Sequence, residues 1–192
     1  MHKGRLEAFS DAIIAIIMTI MVLELRPPHD PSLSALTELG PIFGSYLLSF
    51  VFLGIYWNNH HHMLQSAKHV SGGILWANMH LLFWLSTIPF VTAWMGETGF
   101  AQGPVVAYGV VLLLCAIAYF ILATGLAKAH GPESDLSRAL GRDFKGKVSV
   151  VIYASGIALA FVHPLIAGGL YVLVALMWLV PDRRFENRTG HG

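Results

Sequence analysis

The chain has 192 residues, of which 55% are hydrophobic and only 12% charged, and its formal net charge is +1. A soluble domain carries about 25% charged residues, and a 21.0 kDa chain with a mean hydropathy of +0.62 has too little polar surface to cover so much apolar side chain. A water-soluble globule is therefore excluded, an all-α integral membrane protein is expected, and no nucleic-acid partner is expected.

Six apolar segments follow one another, each near the length of about 20 residues that spans a bilayer. They cover approximately residues 6–25, 39–59, 73–94, 104–128, 147–162 and 164–180, and together make one six-helix transmembrane domain, 1–192. The first opens with Arg5, Glu7, Ser10 and Asp11, runs through Ile-rich sequence interrupted only by Thr19, and is closed by Arg26, Pro27 and Pro28. It is too long, and too acidic at its start, for a cleaved signal peptide. Pro89 is expected to break the third segment near its outer end. His163 and Pro164 leave almost no loop between the last two, which predicts a tight hairpin. The only sizeable polar loop covers about 129–146, where Leu136, Ala139 and Leu140 suit a short surface helix. Strands of a β-barrel would be about half as long and would alternate.

Charge fixes an orientation. With the amino terminus inside, Lys3, Arg5, Lys68, Lys128, Arg138, Arg142, Lys145, Lys147, Arg183, Arg184 and Arg188 share the inner side, and Arg26 is alone outside. That asymmetry predicts a multi-pass protein of the cell membrane with both termini cytoplasmic. Trp57, Trp76, Trp94 and Trp178 lie near segment ends, as an interfacial aromatic belt requires. No second copy of the first segment's polar entrance and no paired Gly or Pro interruptions are present, which weakens a carrier built from inverted repeats.

On a helix, Ala12, Ile16, Thr19 and Leu23 fall within about 60° of one another, and Arg5 and Phe9 extend the same stripe. Asp11, Ala15, Met18 and Val22 form a neighbouring stripe about a quarter-turn away. On spacing alone either stripe is compatible with plain packing, with the Thr19 hydroxyl bonded to a carbonyl one turn back.

The pattern Arg-x-x-x-Phe-Ser-Asp at Arg5, Phe9, Ser10 and Asp11, leading into an Ile-rich helix with a Thr, resembles the transmembrane-protein-175 family of endosomal and lysosomal potassium channels. Tyr56, Trp57, His60 and His61, and then Asn78 through Pro89, Phe90 and Thr92, are similar to that family's second and third helices. The resemblance implies a single-repeat, bacterial-type member: a homotetramer with a potassium-permeable pore lined by four copies of the first helix. It implies a bulky apolar constriction at Ile16, with Thr19 and Leu23 following on the same face. Ala12 departs from the Gly that many relatives carry. No cofactor is implied, and the partners are potassium ions, the lipid bilayer and three further copies of the chain.

A hydrophobic constriction gates by dewetting, and an ion crossing it sheds much of its water. Potassium sheds water more easily than sodium, and four Thr19 hydroxyls would replace part of the lost shell. A carboxylate at Asp11 is costly near the membrane boundary unless paired, with Arg5, His60 and His61 as candidate partners, although a helix start also favours an acid. Asn78 and His80 require hydrogen-bond partners if buried. Arg5, Phe9, Ser10, Asp11, His60, His61 and Asn78 form the expected network that positions the first helix. Glu24 would concentrate cations at the outer mouth or form a solvated rim. Val106-Ala107-Tyr108-Gly109 faintly resembles a carbonyl-filter motif but lies mid-segment and reads as packing.

The run His60-His61-His62, with His69 and His80 nearby, supports a second class, a metal-ion or proton-coupled carrier, and more distantly a haem enzyme. Adjacent helical residues diverge, so the triplet is not a ligand set by itself, and no metal site is assigned. Cys115, the single cysteine, lies in an apolar run, which rules out an intrachain disulfide. The catalytic motifs of hydrolases, zinc proteases and nucleotide-binding enzymes are absent, and no enzyme activity is expected.

Overall fold

The computed structural model describes residues 3–28, 30–141 and 143–179. Among them run helices α1 (Lys3–Leu23), α2 (Gly40–Gln65), α3 (Gly72–Ser86), α4 (Ile88–Glu97), α5 (Gln102–His130), α6 (Asp135–Gly141), α7 (Phe144–Ala160) and α8 (Pro164–Leu179), with a 3₁₀ turn at Leu33–Thr37. No strand occurs among the described residues. Val180, Arg142, Arg183, Arg184 and Arg188, which entered the span and charge readings, lie outside them.

Local chemistry sets the boundaries. α1 stops at Leu23, two residues earlier than expected, because Pro27 disfavours helical backbone at Arg26. α2 starts with Pro41 in its first turn, where a missing N–H costs nothing. It continues through all three histidines to Gln65 rather than ending at Asn59. The third segment divides at Thr87, whose hydroxyl donates to the Trp84 carbonyl at 2.7 Å just before α4 opens with Ile88 and Pro89. Ser71 caps α3 by accepting from the Ile74 N–H, and Asp143 caps α7 by accepting from the Gly146 N–H at 2.9 Å.

Four stretches are long and apolar enough to cross a bilayer: α1, α2, α3 with α4, and α5. α7 is shorter, with 17 residues between the Asp143 cap and the turn that precedes Pro164, and 16 residues of α8 are described. The expected short helix in the polar loop is α6, with Leu136 buried.

α5 lies at the centre, against α3, α4, α7 and α8, while α1 packs on α2, α3 and α4. The Ser49 hydroxyl meets those of Thr92 at 2.6 Å and Tyr108 at 2.9 Å, which ties α2, α4 and α5 together inside the protein. Tyr108 and Gly109 sit within α5, so the filter-like tetrapeptide is helical packing. A methyl on Gly109 would strike the Tyr171 hydroxyl and come within 2.9 Å of Ile157 Cγ1. Gly109 is there because the α8 tyrosine needs its space.

Candidate pore-lining face and the network behind it

α1 is divided lengthwise. Leu6, Ser10, Ile14, Ile17 and Met21 are buried against the rest of the chain. Arg5, Phe9, Ala12, Ile16, Thr19 and Leu23 are all exposed, Ile16 at 55% and Leu23 at 74%. Ile17, one residue from Ile16 and about 100° round the helix, is only 4% exposed. The stripe proposed from spacing is thus the arc of α1 that this chain leaves uncovered. Ala15 and Val22, from the neighbouring stripe, are exposed at its edge, while Asp11 and Met18 are half-buried.

The Thr19 hydroxyl donates to the Ile16 carbonyl at 2.9 Å. That bond, expected as the mark of plain packing, uses the hydrogen only. The oxygen keeps its lone pairs.

Behind the exposed arc lies a polar relay through three helices. Asn78 on α3 donates its amide N–H to Ser10 Oγ on α1 at 3.0 Å and, through Oδ1, meets His60 Nε2 on α2 at 2.7 Å. Ser10 and Asn78 are fully buried and His60 nearly so. With the amide in this orientation, the His60 Nε2 carries the hydrogen. Ser10 lies about 120° from Ile16, so bonds that hold Ser10 inward hold Ile16 outward. Buried polar groups satisfied in this way fix one rotational setting of a helix, whereas apolar contacts alone allow several.

Among the described residues, Asp11 takes none of the three partners expected for it. Its carboxylate accepts from the Trp57 indole N–H at 3.1 Å, and Trp57 in turn stacks on His61, ring centroids 6.1 Å apart. His60 is committed to Asn78, and Arg5 is exposed with no ion pair among the described residues. Trp57, which the sequence places in the aromatic belt and in the family-like run of the second helix, is therefore a member of the network that sequence reasoning left out. Its single N–H donor, on the helix that carries His60 and His61, was the available signal. Lys3 was also missed: it pairs with Glu7 at 3.5 Å and donates to the Gln65 carbonyl at 2.8 Å, which pins the start of α1 to the end of α2.

Glu24 lines a groove of about 810 Å³ between α1 and α4 together with Arg26 and Glu97, beside Ile16 and Ile20. His80 accepts from the Trp84 indole at 2.9 Å. The described histidines do not converge on one point: His61 meets His62 edge to face, and His69 stacks on His130 at the far end of α5. No group of three His, Cys, Asp or Glu side chains suited to a metal ion occurs among the described residues.

Fold and site together define a multi-pass, all-helical membrane protein whose first helix is held by buried polar bonds with one face uncovered. Residues 5–89 match the family of the endosomal/lysosomal potassium channel TMEM175. The chain is 53% identical to a potassium channel of Chryseobacterium over 187 residues, 97% of each chain. It is 26% identical to a potassium channel of Streptomyces collinus over 92% of this chain and 91% of the other. Its fold superposes with a TM-score of 0.82 on the crystal structure of a lysosomal potassium-selective channel TMEM175 homolog from Chamaesiphon minutus, at 25% identity, covering 93% of this chain and 96% of that one. The chain belongs to the TMEM175 family.

Proposed function

We propose that this protein is a potassium-permeable channel in which four chains place their α1 helices around one axis. Ile16 forms the narrowest ring, and Thr19 and Leu23 continue the pore wall. The observation that carries this reading is the uncovered arc of α1: Ile16, Thr19 and Leu23 are exposed while Ile14, Ile17 and Met21 are buried. An apolar helix in a bilayer has no hydrophobic drive to associate, so exposure alone does not distinguish lipid from pore. A buried relay that fixes the rotation of α1 favours a face that has to be aimed. Two potassium-channel relatives of nearly the same length add support.

In this reading the pore is dry at Ile16, selectivity arises from the smaller dehydration penalty of potassium, and the Thr19 oxygens return part of the hydration shell. Each chain spans the membrane six times, by α1, α2, α3 with α4, α5, α7 and α8, with both termini cytoplasmic in the cell membrane. The described histidines offer no convergent site for a metal-ion carrier, and the permeant ion needs no cofactor.

The test is reversal potential under bi-ionic potassium and sodium in reconstituted bilayers, with oligomer mass measured on the same preparation. A potassium-selective current from a tetramer is expected. A monomer, or proton-coupled metal uptake without potassium current, would overturn the reading. For topology, an introduced cysteine at Val162 should label from the outside and one at Lys68 only from within.

A further inference from the structure

At the end of the molecule where α1 begins, an imidazole ties the loop between α2 and α3 to the last residue of α5. His130 meets the Leu126 carbonyl through Nδ1 at 2.8 Å, and its Nε2 accepts the backbone N–H of Lys68 at 2.8 Å and that of His69 at 3.4 Å. A carbonyl only accepts, so Nδ1 carries the hydrogen. A backbone N–H only donates, so Nε2 carries none. His130 is therefore neutral while it holds the loop. The His69 ring lies flat on it, with centroids 4.5 Å apart and planes 18° from parallel.

A proton added to Nε2 turns this acceptor into a donor aimed at two N–H groups, and both bonds are lost. The new charge joins two cations on flanking residues: Lys68, which carries one of the two amides, and Lys128, two residues back on α5. His69 titrates in the same range of pH. Glu133, ahead of α6, has its own cation in Arg138 at 3.2 Å, and the His62 ring at the end of α2 is turned to His61. Lys68 and His69 are exposed and His130 is half-buried, so protons from bulk water reach the ring.

The start of the proposed pore helix hangs on the same place. Lys3 donates to the carbonyl of Gln65 at 2.8 Å and pairs with Glu7, one turn along α1, at 3.5 Å. Gln65 is the last residue of α2, three before Lys68, so a loop held at Lys68 steadies the carbonyl that Lys3 uses. We propose that His130 is a proton-operated latch. Neutral, it holds the loop and, through Gln65 and Lys3, the entrance end of α1; protonated, it releases them. The latched form carries one proton fewer than the released form, so falling pH favours release by up to tenfold per unit and rising pH restores the latch. Acid on the side that bears Lys68, the cytoplasm in the topology proposed above, should lower the potassium current. Only this effect on current rests on the reading of α1 as the pore helix.

The test therefore reads the loop and the current separately. Hydrogen–deuterium exchange of the full chain in detergent is measured at pH 8 and pH 5.5 and expressed as protection factors, which cancels the intrinsic pH dependence of exchange. Protection of residues 66–71 should fall about tenfold, as release coupled to an ordinary imidazole predicts. His130→Gln offers an amide oxygen near the position of Nε2 and does not titrate, so protection should hold at both pH values. His130→Ala offers no acceptor, and the loop should exchange fast at both; either variant serves if the other fails to fold. In reconstituted bilayers, acid on the Lys68 side alone should lower the current, and His130→Gln should abolish that fall. Lys3→Met should keep the pH response of the loop and lose that of the current. Equal protection at the two pH values in the unsubstituted protein, or a fall that persists in the His130 variants, would overturn the proposal. So would a responsive loop in a channel whose current ignores pH on that side, or a current response that survives Lys3→Met. A responsive loop in a protein without any potassium current would support the latch and sink the channel reading instead.

Discussion

Thr19 and Ile16 share one hydrogen bond, from the Thr19 hydroxyl to the Ile16 carbonyl at 2.9 Å, and both face out of the chain from adjacent turns of α1. The bond fixes the hydroxyl hydrogen against the helix and leaves the oxygen lone pairs directed outward, toward the axis of the proposed pore. A hydroxyl set in this way has its hydrogen engaged and its lone pairs left to meet a cation.

Thr19→Val keeps the shape and removes that oxygen. Potassium conductance should fall while oligomer mass stays the same, and Thr19→Ser, which keeps the donor and its lone pairs, should restore most of it. Single-channel recordings of the two variants check this. Equal conductance in Thr19→Val and the unsubstituted protein would remove Thr19 from the conduction path.

Asn78 connects Ser10 to His60, so deleting its amide strands two buried polar groups at once. Asn78→Ala should destabilise the fold by about 1–3 kcal/mol. Ser10→Ala should cost less, because Asn78 still keeps His60. The double variant should be less damaging than the sum of the two, with a coupling of about 1 kcal/mol. Thermal denaturation in detergent measures all three, and strict additivity would mean that the relay does not act as a unit.

Much of this arrangement was legible in the sequence, for reasons that differ by level. Apolar length and charge asymmetry are one-dimensional properties, so the helical membrane character followed directly. The stripe Ile16, Thr19, Leu23 was visible because helical geometry is rigid, and the same geometry places Ser10 on the opposite side. Three-dimensional choices were not legible. Nothing in the spacing of Asp11, Arg5 and the histidines says that Trp57 reaches the carboxylate first, since that depends on how α2 leans on α1. The break at Thr87 was foreseeable from Pro89. The extension of α2 to Gln65 was not, because it rests on burial of His60 and Met63 within the finished bundle.

Gly109 tests the packing reading of the filter-like tetrapeptide. A methyl there strikes the Tyr171 hydroxyl, which donates to the Val105 carbonyl at 3.3 Å, and Gly156 faces the same ring from α7. Gly109→Ala should lower stability by about 1–3 kcal/mol, as overpacking does. Adding Tyr171→Phe should recover part of that by removing the struck oxygen. The potassium-to-sodium permeability ratio should not change in either variant that assembles. A changed ratio with normal stability would place this stretch in the ion path instead.

The final prediction separates constriction from scaffold on one helix. Ile16→Asn puts four amides where the proposed pore is driest, which lowers the dehydration barrier for every cation. Current should therefore rise and the preference for potassium over sodium should fall. Ile17 is not a neutral comparison, because it is 4% exposed within the chain's own core. An amide there would be buried without a partner and should cost about 1–3 kcal/mol of stability before any current is measured. Val22 is the better control: it is 47% exposed and lies about 120° round α1 from Ile16. Val22→Asn adds the same polarity off the stripe and should leave the permeability ratio unchanged. Bi-ionic reversal potentials for Ile16→Asn and Val22→Asn decide the matter. A loss of selectivity in Val22→Asn with none in Ile16→Asn would move the constriction to another arc of α1.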